Sequence, residues 1–333
     1  MKRSICVICG LLALQLVAFA QEQQFANLGD FKLQNGGVIR NCRIGYRTFG
    51  TLNADKSNVI VFPTWAGGTT EQLKSNFAPG RLIDTTSYYV VAVDALSNGV
   101  SSSPSNSRVQ PRMRFPEFSL RDTVATQHEL LTRVLNIHHV KAIVGISMGG
   151  MQTFQWMVSY PDFMEKSIPI VGSPRLAPYD LMLWQAQIDA LMRDRDWKGG
   201  NYSANPARAL DFAFGELLLT TPADYNRRKT RGQVFADLEK ARNDAHRFDA
   251  NDKIRQVQAM MKLDISLESA KTVKAKVLVV VAKYDHVVTP GPATEFAAVL
   301  GAKLLTLEGD CGHLATSCES RLLNTAVSDF LKD

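Results

Sequence analysis

The residues here that could do chemistry are a serine framed by glycines, an aspartate and a histidine, in that order along the chain. Gly145-Ile146-Ser147-Met148-Gly149 follows the apolar, β-branched run Val140-Lys141-Ala142-Ile143-Val144 and passes into a helical pattern that begins near Met148. Strand, sharp turn with a serine at its tip, then helix is the signature of a nucleophile elbow. A Cβ at position 145 or 149 would collide where the helix crosses the strand, which accounts for glycine at both. Ser147 is then expected at the carboxyl edge of a sheet, over the positive end of a helix dipole. A serine hydroxyl is a weak nucleophile at neutral pH, so an imidazole must take its proton and a buried carboxylate must hold that imidazole. Asp285 follows the strand-like run at 276–282, and His313 follows the run at 303–307. We therefore expect Ser147 as nucleophile, His313 as base and then acid, and Asp285 as its orienter. Asp310 and His286 are the rivals. The first is three residues from His313 and the second adjoins the acid.

The elements that must hold these side chains can be read from periodicity. Residues 31–33 and 43–49 alternate as half-buried antiparallel strands, whereas 59–63, 88–93, 140–146, 167–171, 276–282 and 303–307 are apolar runs suited to a parallel sheet buried on both faces. Thr64-Trp65-Ala66-Gly67-Gly68-Thr69 comes directly after one such strand. It is a candidate oxyanion loop, with the backbone N–H of Trp65 partnering that of Met148. Ser119 with Asp122 reads as a helix cap, and residues 97–114, rich in Ser, Asn, Pro and Arg, read as a surface loop. His128 is expected to be structural or solvated, and His138 and His139 receive no role. From about 174 to 270 strands vanish and helices are expected at 181–193, 207–219, 231–248 and 253–262. That pattern suits a helical lid between core segments 21–173 and 271–333, with a closing helix at 321–331. Sheet strands, elbow and the order Ser, Asp, His together imply an α/β fold of the α/β-hydrolase type.

Bulk properties narrow the function. The 333 residues carry 38 Lys+Arg against 32 Asp+Glu, a formal charge of +6, with no dense basic block interleaved with aromatics, so nucleic acid is not an expected partner. Met1-Lys2-Arg3, a short apolar run and Ala18-Phe19-Ala20 before Gln21 form a secretory signal peptide over residues 1–20, which predicts a secreted or periplasmic protein. No later stretch is apolar enough to span a bilayer. Cys42, Cys311 and Cys318 remain after cleavage. A Cys311–Cys318 bridge around His313 and three buried thiols are both open at this stage.

The chain resembles the homoserine O-acetyltransferase family of the α/β-hydrolase superfamily. The resemblance lies in Tyr46-Arg47-Thr48-Phe49-Gly50-Thr51-Leu52-Asn53, Pro79-Gly80-Arg81-Leu82-Ile83-Asp84-Thr85, Phe115-Pro116, Asp122-Thr123-Val124 and Gly145–Gln152. In the lid it continues through Asp196-Trp197-Lys198-Gly199-Gly200-Asn201-Tyr202 and Arg247-Phe248-Asp249-Ala250-Asn251. Carried over residue by residue, the family triad falls on Ser147, Asp285 and His313. Relatives often pair through the lid, so the resemblance also implies a homodimer. Two departures bear on activity. The stretch whose arginine in the family is thought to hold the amino-acid acceptor has Phe214 at that place, and the Asp-x-Phe expected after the histidine is Leu314-Ala315-Thr316. A phenyl ring cannot replace a guanidinium clamp on a carboxylate. The expected activity is therefore hydrolysis of a small-molecule ester with water as acceptor, without metal or cofactor. An O-acyltransferase with an acyl-CoA donor is the alternative, and a non-catalytic binding protein on the same fold the third reading. The residues do not reveal the acyl group or the alcohol.

Overall fold

The structure, a computed structural model, describes residues 22–206, 215–243 and 248–333. The expected signal peptide, Phe214, most of the helix expected at 207–219 and the segment 244–247 lie outside the described residues.

One sheet of eight strands organises the molecule, in the order β1-β2-β4-β3-β5-β6-β7-β8. β1 (Gln24–Lys32) and β2 (Val38–Phe49) pair antiparallel, and β2 is also antiparallel to β4 (Tyr89–Val93). β3 (Val59–Pro63), β5 (Val140–Ile146), β6 (Met164–Ile170), β7 (Lys276–Ala282) and β8 (Lys303–Leu307) continue in parallel from β4. The mostly parallel α/β-hydrolase sheet expected from the apolar runs is present, and β7 and β8 have the expected bounds. β6 starts three residues earlier than the apolar run, because Met164 pairs with Val140 of β5, and Lys166 with Ala142 of β5 and Lys276 of β7, whatever their polarity.

Strand periodicity of two builds two cores, one on each face. Val59, Val61, Val91 and Val93 join one cluster, while Ile60, Phe62, Val90 and Ala92 join the other. The first cluster lies under the helices Leu120–Glu129 and Met148–Ser159. The second takes Leu323, Val327, Phe330 and Leu331 from the closing helix Ser320–Lys332. Ser119 caps its helix as expected: its Oγ accepts from the N–H of Asp122, and the Asp122 carboxylate accepts from the N–H of Ser119. His128 stacks on Tyr160 with ring centroids 4.0 Å apart, a packing role. Lys166 is buried in β6, and its Nζ donates to the carbonyls of Phe330 and Leu331, both at 2.9 Å. Burial lowers the pKa of this lysine.

Between β6 and β7 the described residues are helical, at Pro178–Met192, Pro222–Arg228, Arg231–Asn243 and Ala250–Met261. The short helix Pro222–Arg228 has no counterpart among the expected elements, since a polar stretch of seven residues carries too little periodicity to be seen. Loop 97–114 is the expected surface loop only in its second part, where Arg108, Val109, Arg112 and Arg114 are exposed; its first part is not. Ser97, Asn98, Ser101 and Ser103 are buried. Their side chains stand in for water: Asn98 Oδ1 accepts from the N–H groups of Val100 and Ser101, and Ser101 Oγ donates to the carbonyl of Asp94. Cys42 is a buried free thiol whose pKa is pushed up to about 12 by desolvation. No helix of the described residues is long and apolar enough to cross a membrane.

Candidate active site

Ser147 sits at the elbow between β5 and the helix Met148–Ser159, with φ 58° and ψ −122°, a conformation that an L-residue adopts only under constraint. The constraint is close packing of backbone. A Cβ on Gly145 would lie 2.2 Å from the carbonyl oxygen of Gly149, and one on Gly149 would lie 2.7 Å from that of Pro63. Both glycines expected at the elbow are therefore required by contact.

His313 follows β8, and Asp285 follows β7. The ring bridges the other two side chains: Nε2 lies 2.8 Å from Ser147 Oγ, and Nδ1 lies 2.6 Å from Asp285 Oδ2. A carboxylate only accepts, so Nδ1 carries the proton and Nε2 faces the serine as an acceptor. Asp285 is held in turn. Its Oδ1 accepts from the N–H groups of Val287 (2.9 Å) and Val288 (3.1 Å), leaving Oδ2 for the histidine. His313 and Asp285 are buried, while Ser147 is half-buried. The three residues expected to act together are thus joined through His313 by two hydrogen bonds.

The rivals are engaged elsewhere. Arg227 holds Asp310 with two contacts, at 2.5 and 2.7 Å, and lowers the pKa of its carboxyl. His286 Nε2 lies 3.2 Å from the carbonyl of Leu217.

Two parts of the helical segment brace the catalytic loops, and sequence reading found neither. On the Asp285 side, Asp180 accepts from the N–H and Oγ of Thr289, and Trp184 Nε1 donates to the carbonyl of Val287 at 3.0 Å. Burial raises the pKa of Asp180, against the lowering effect of its hydrogen bonds from Ala177 and Thr289. On the His313 side, Thr221 Oγ donates to the carbonyl of Asp310 at 2.5 Å, beside the Arg227 pair. There Cys311 and Cys318 form a disulfide, with Cα atoms 6.6 Å apart, which resolves the open question of the cysteines. Asp224, Asp310 and Cys311 come within 4.8 Å of one another. They do not suit a metal: the sulfur is spent in the bridge, and Arg227 and Arg228 occupy the carboxylates.

Ser147 and His313 open into a cavity of about 600 Å³ that Trp65 also lines. Its lining includes apolar side chains, among them Trp184, Leu219, Val287 and Leu314, and polar ones, among them Asn76, Arg81, Ser320 and Asn324. A second cavity of about 350 Å³ shares Trp65, Trp184, Leu219 and Val287 with the first and reaches Leu218, Phe248 and Val257. Met148 is the first residue of its helix, so its N–H has no partner within that helix. Trp65 is the second residue after β3, and Gly68, without a Cβ, leaves room for its indole to fold back. Of the two expected oxyanion residues, Trp65 lines the cavity with Ser147, and Met148 is buried directly behind the serine at the start of its helix.

Both ester hydrolases and homoserine O-acetyltransferases are among the known proteins similar to this chain. The alpha/beta hydrolase fold family matches residues 58–316. Ethyl acetate hydrolase of Pseudomonas veronii is 35% identical over 190 residues, which is 56% of this chain and 54% of that protein. This chain thus spans about half the length of that relative. Homoserine O-acetyltransferase of Methanosalsum zhilinae is 27% identical over 352 residues, covering 91% of this chain and 71% of that one. Among solved structures, an acetylester hydrolase from Corynebacterium glutamicum superposes with a TM-score of 0.87 at 25% identity, covering 94% of this chain and 96% of that one. The resemblance to homoserine O-acetyltransferases seen in the motifs holds over nearly the whole chain, and ester hydrolases share the same fold.

Proposed function

Since the chain belongs to the alpha/beta hydrolase fold family, we propose that it is an exported serine hydrolase that cleaves small esters through an acyl-enzyme. One observation carries this reading: His313 bridges Ser147 and Asp285 at 2.8 and 2.6 Å. The Ser147 hydroxyl gives its proton to His313 Nε2 as Oγ attacks the ester carbonyl. The N–H groups of Met148 and Trp65 receive the oxyanion. Collapse breaks the bond to the alcohol, which leaves with the proton from His313. Water repeats the sequence on the acyl-enzyme and releases the acid. Asp285 stays ionised throughout and stabilises the imidazolium. The ester-hydrolase relatives support hydrolysis, and the apolar side chains that line the cavity with Ser147 suit an acyl group. Export rests on the expected signal peptide and on a disulfide that an oxidising compartment maintains.

Release of acid from a series of p-nitrophenyl esters tests the reading, and wild-type activity no greater than that of Ser147→Ala would end it. Acyl transfer from a CoA thioester is the second reading, favoured by the length of the match to homoserine O-acetyltransferase. Incubation with acetyl-CoA and homoserine separates the two. O-acetyl product formed in step with free CoA would select transfer, and free acetate alone would select hydrolysis.

A further inference from the structure

We propose that Gln152 is a positioning residue for the oxyanion site, aiming the N–H of Trp65 by holding the carbonyl of Thr64. The inference rests on the acyl-enzyme reading above. Thr64 C=O and Trp65 N–H belong to one planar trans peptide, so the two bonds point in opposite directions. Whatever fixes the carbonyl fixes the donor. Gln152 Nε2 donates to that carbonyl at 3.0 Å, and also to the carbonyl of Met148 at 3.1 Å. It reaches them from the elbow helix, the element whose first residue supplies the other oxyanion donor.

The sense of this contact is determined from both ends. Trp156 Nε1 can only donate, and it donates to Gln127 Oε1 at 2.8 Å. The amide nitrogen of Gln127 is thereby turned to Gln152 Oε1, 2.6 Å away. Gln152 must then present its own nitrogen to the carbonyls of Thr64 and Met148, which only accept. Trp156, Gln127 and Gln152 are all buried, so no water competes for these bonds. The result is a one-way chain of donors running from an indole, through two amides, to the peptide group behind the oxyanion site. Each bond polarises the next, which makes the terminal N–H a better donor. The other oxyanion peptide is braced in the same manner: the carbonyl of Ser147 accepts from the N–H of Met151 at 2.9 Å. Consecutive positions 151 and 152 of one helix therefore hold the two donor peptides from behind.

Gln152→Met keeps the length of the side chain and removes its donor. With a p-nitrophenyl ester, kcat is expected to fall about 10- to 100-fold while KM stays within twofold, since the oxyanion exists only on the reaction path. Affinity for an alkyl boronic acid, which forms a tetrahedral anion on serine, should fall in proportion to kcat. Affinity for the corresponding unreactive ether should not change. Gln127→Met leaves Gln152 in place but unlocks its amide, so a smaller loss of the same pattern is expected; it serves alone if Gln152→Met does not fold. Retention of kcat within twofold in a folded variant, or equal weakening of boronate and ether, would overturn the inference. A wild-type protein that neither turns over esters nor binds the boronate sinks the acyl-enzyme reading itself, and this inference with it.

Discussion

At the scale of single residues, chemistry that depends on chain order was legible before any coordinates. A serine between two glycines after a β-branched run, then an acid and a histidine each after a later run, point to one rim because parallel strands share their carboxyl ends. Geometry adds the assignment of oxygens: Asp285 gives Oδ1 to two backbone donors and Oδ2 to His313. Ser147→Ala should therefore lower turnover of any accepted ester by at least about 10⁴-fold without lowering the unfolding temperature, as read by steady-state kinetics and calorimetry. Asp285→Asn should cost a similar factor, because an amide nitrogen at Oδ2 would turn the imidazole to the wrong tautomer. What could not be read was the partner of Gln152. The residue is plain in the motif, but Thr64 lies 88 positions away, and nothing in the letters says which carbonyl a buried amide will meet.

Elements supply the restraint on these side chains, and here the sequence was less informative. The helix Pro222–Arg228 and the Cys311–Cys318 bridge grip the His313 loop from two sides. Neither follows from periodicity, since one is too short and the other depends on loop geometry. The cysteines are seven positions apart, so Cys318→Ser should lower stability by about 2–3 kcal/mol in urea titration. It should lower kcat as well, through a looser His313.

Asp252, in the first turn of the helix Ala250–Met261, gives a pH dependence of defined sign. Burial, reinforced by the nearby Asp249 charge, raises its pKa to about 8, against hydrogen bonds from the Ser105 side chain and N–H. The native state thus holds this proton more tightly than the unfolded chain does. The stability it contributes is complete below the ordinary carboxyl value near 3.8 and is lost as pH rises to about 8. Asp252→Asn removes the titration, so its urea midpoint should gain on that of the wild type between pH 5 and 9.

On the scale of the whole molecule, the sheet was the legible part and the helical segment the obscure one. β7 has the expected bounds because a strand buried on both faces reads as an unbroken apolar run, and β8, an edge strand with Leu304 exposed, is still marked by its three leucines. The short helix Pro222–Arg228 between β6 and β7 instead has no apolar run to mark it, and the first part of the polar loop at 97–114 is buried although its composition marks it as solvent-facing. Trp184 joins the two scales. It borders both cavities while its indole braces the Asp285 loop through Val287. Trp184→Ala should reduce turnover of every ester, yet shift the ratio of octanoate to acetate turnover at least tenfold toward the longer acyl chain. A p-nitrophenyl ester series reads both effects, since a steric wall acts on the ratio and a brace on the absolute rate.

Lys166 carries a consequence for anyone who trims or fuses this chain. Its ammonium, shut inside β6, has the carbonyls of Phe330 and Leu331 as acceptors, so the far end of the polypeptide serves as the counterweight of a cation in the middle of the sheet. Deleting residues 330–333 would strand that charge and open the apolar floor beneath it. The shortened protein should collect in the insoluble fraction, and pairing the deletion with Lys166→Met should recover part of the soluble yield.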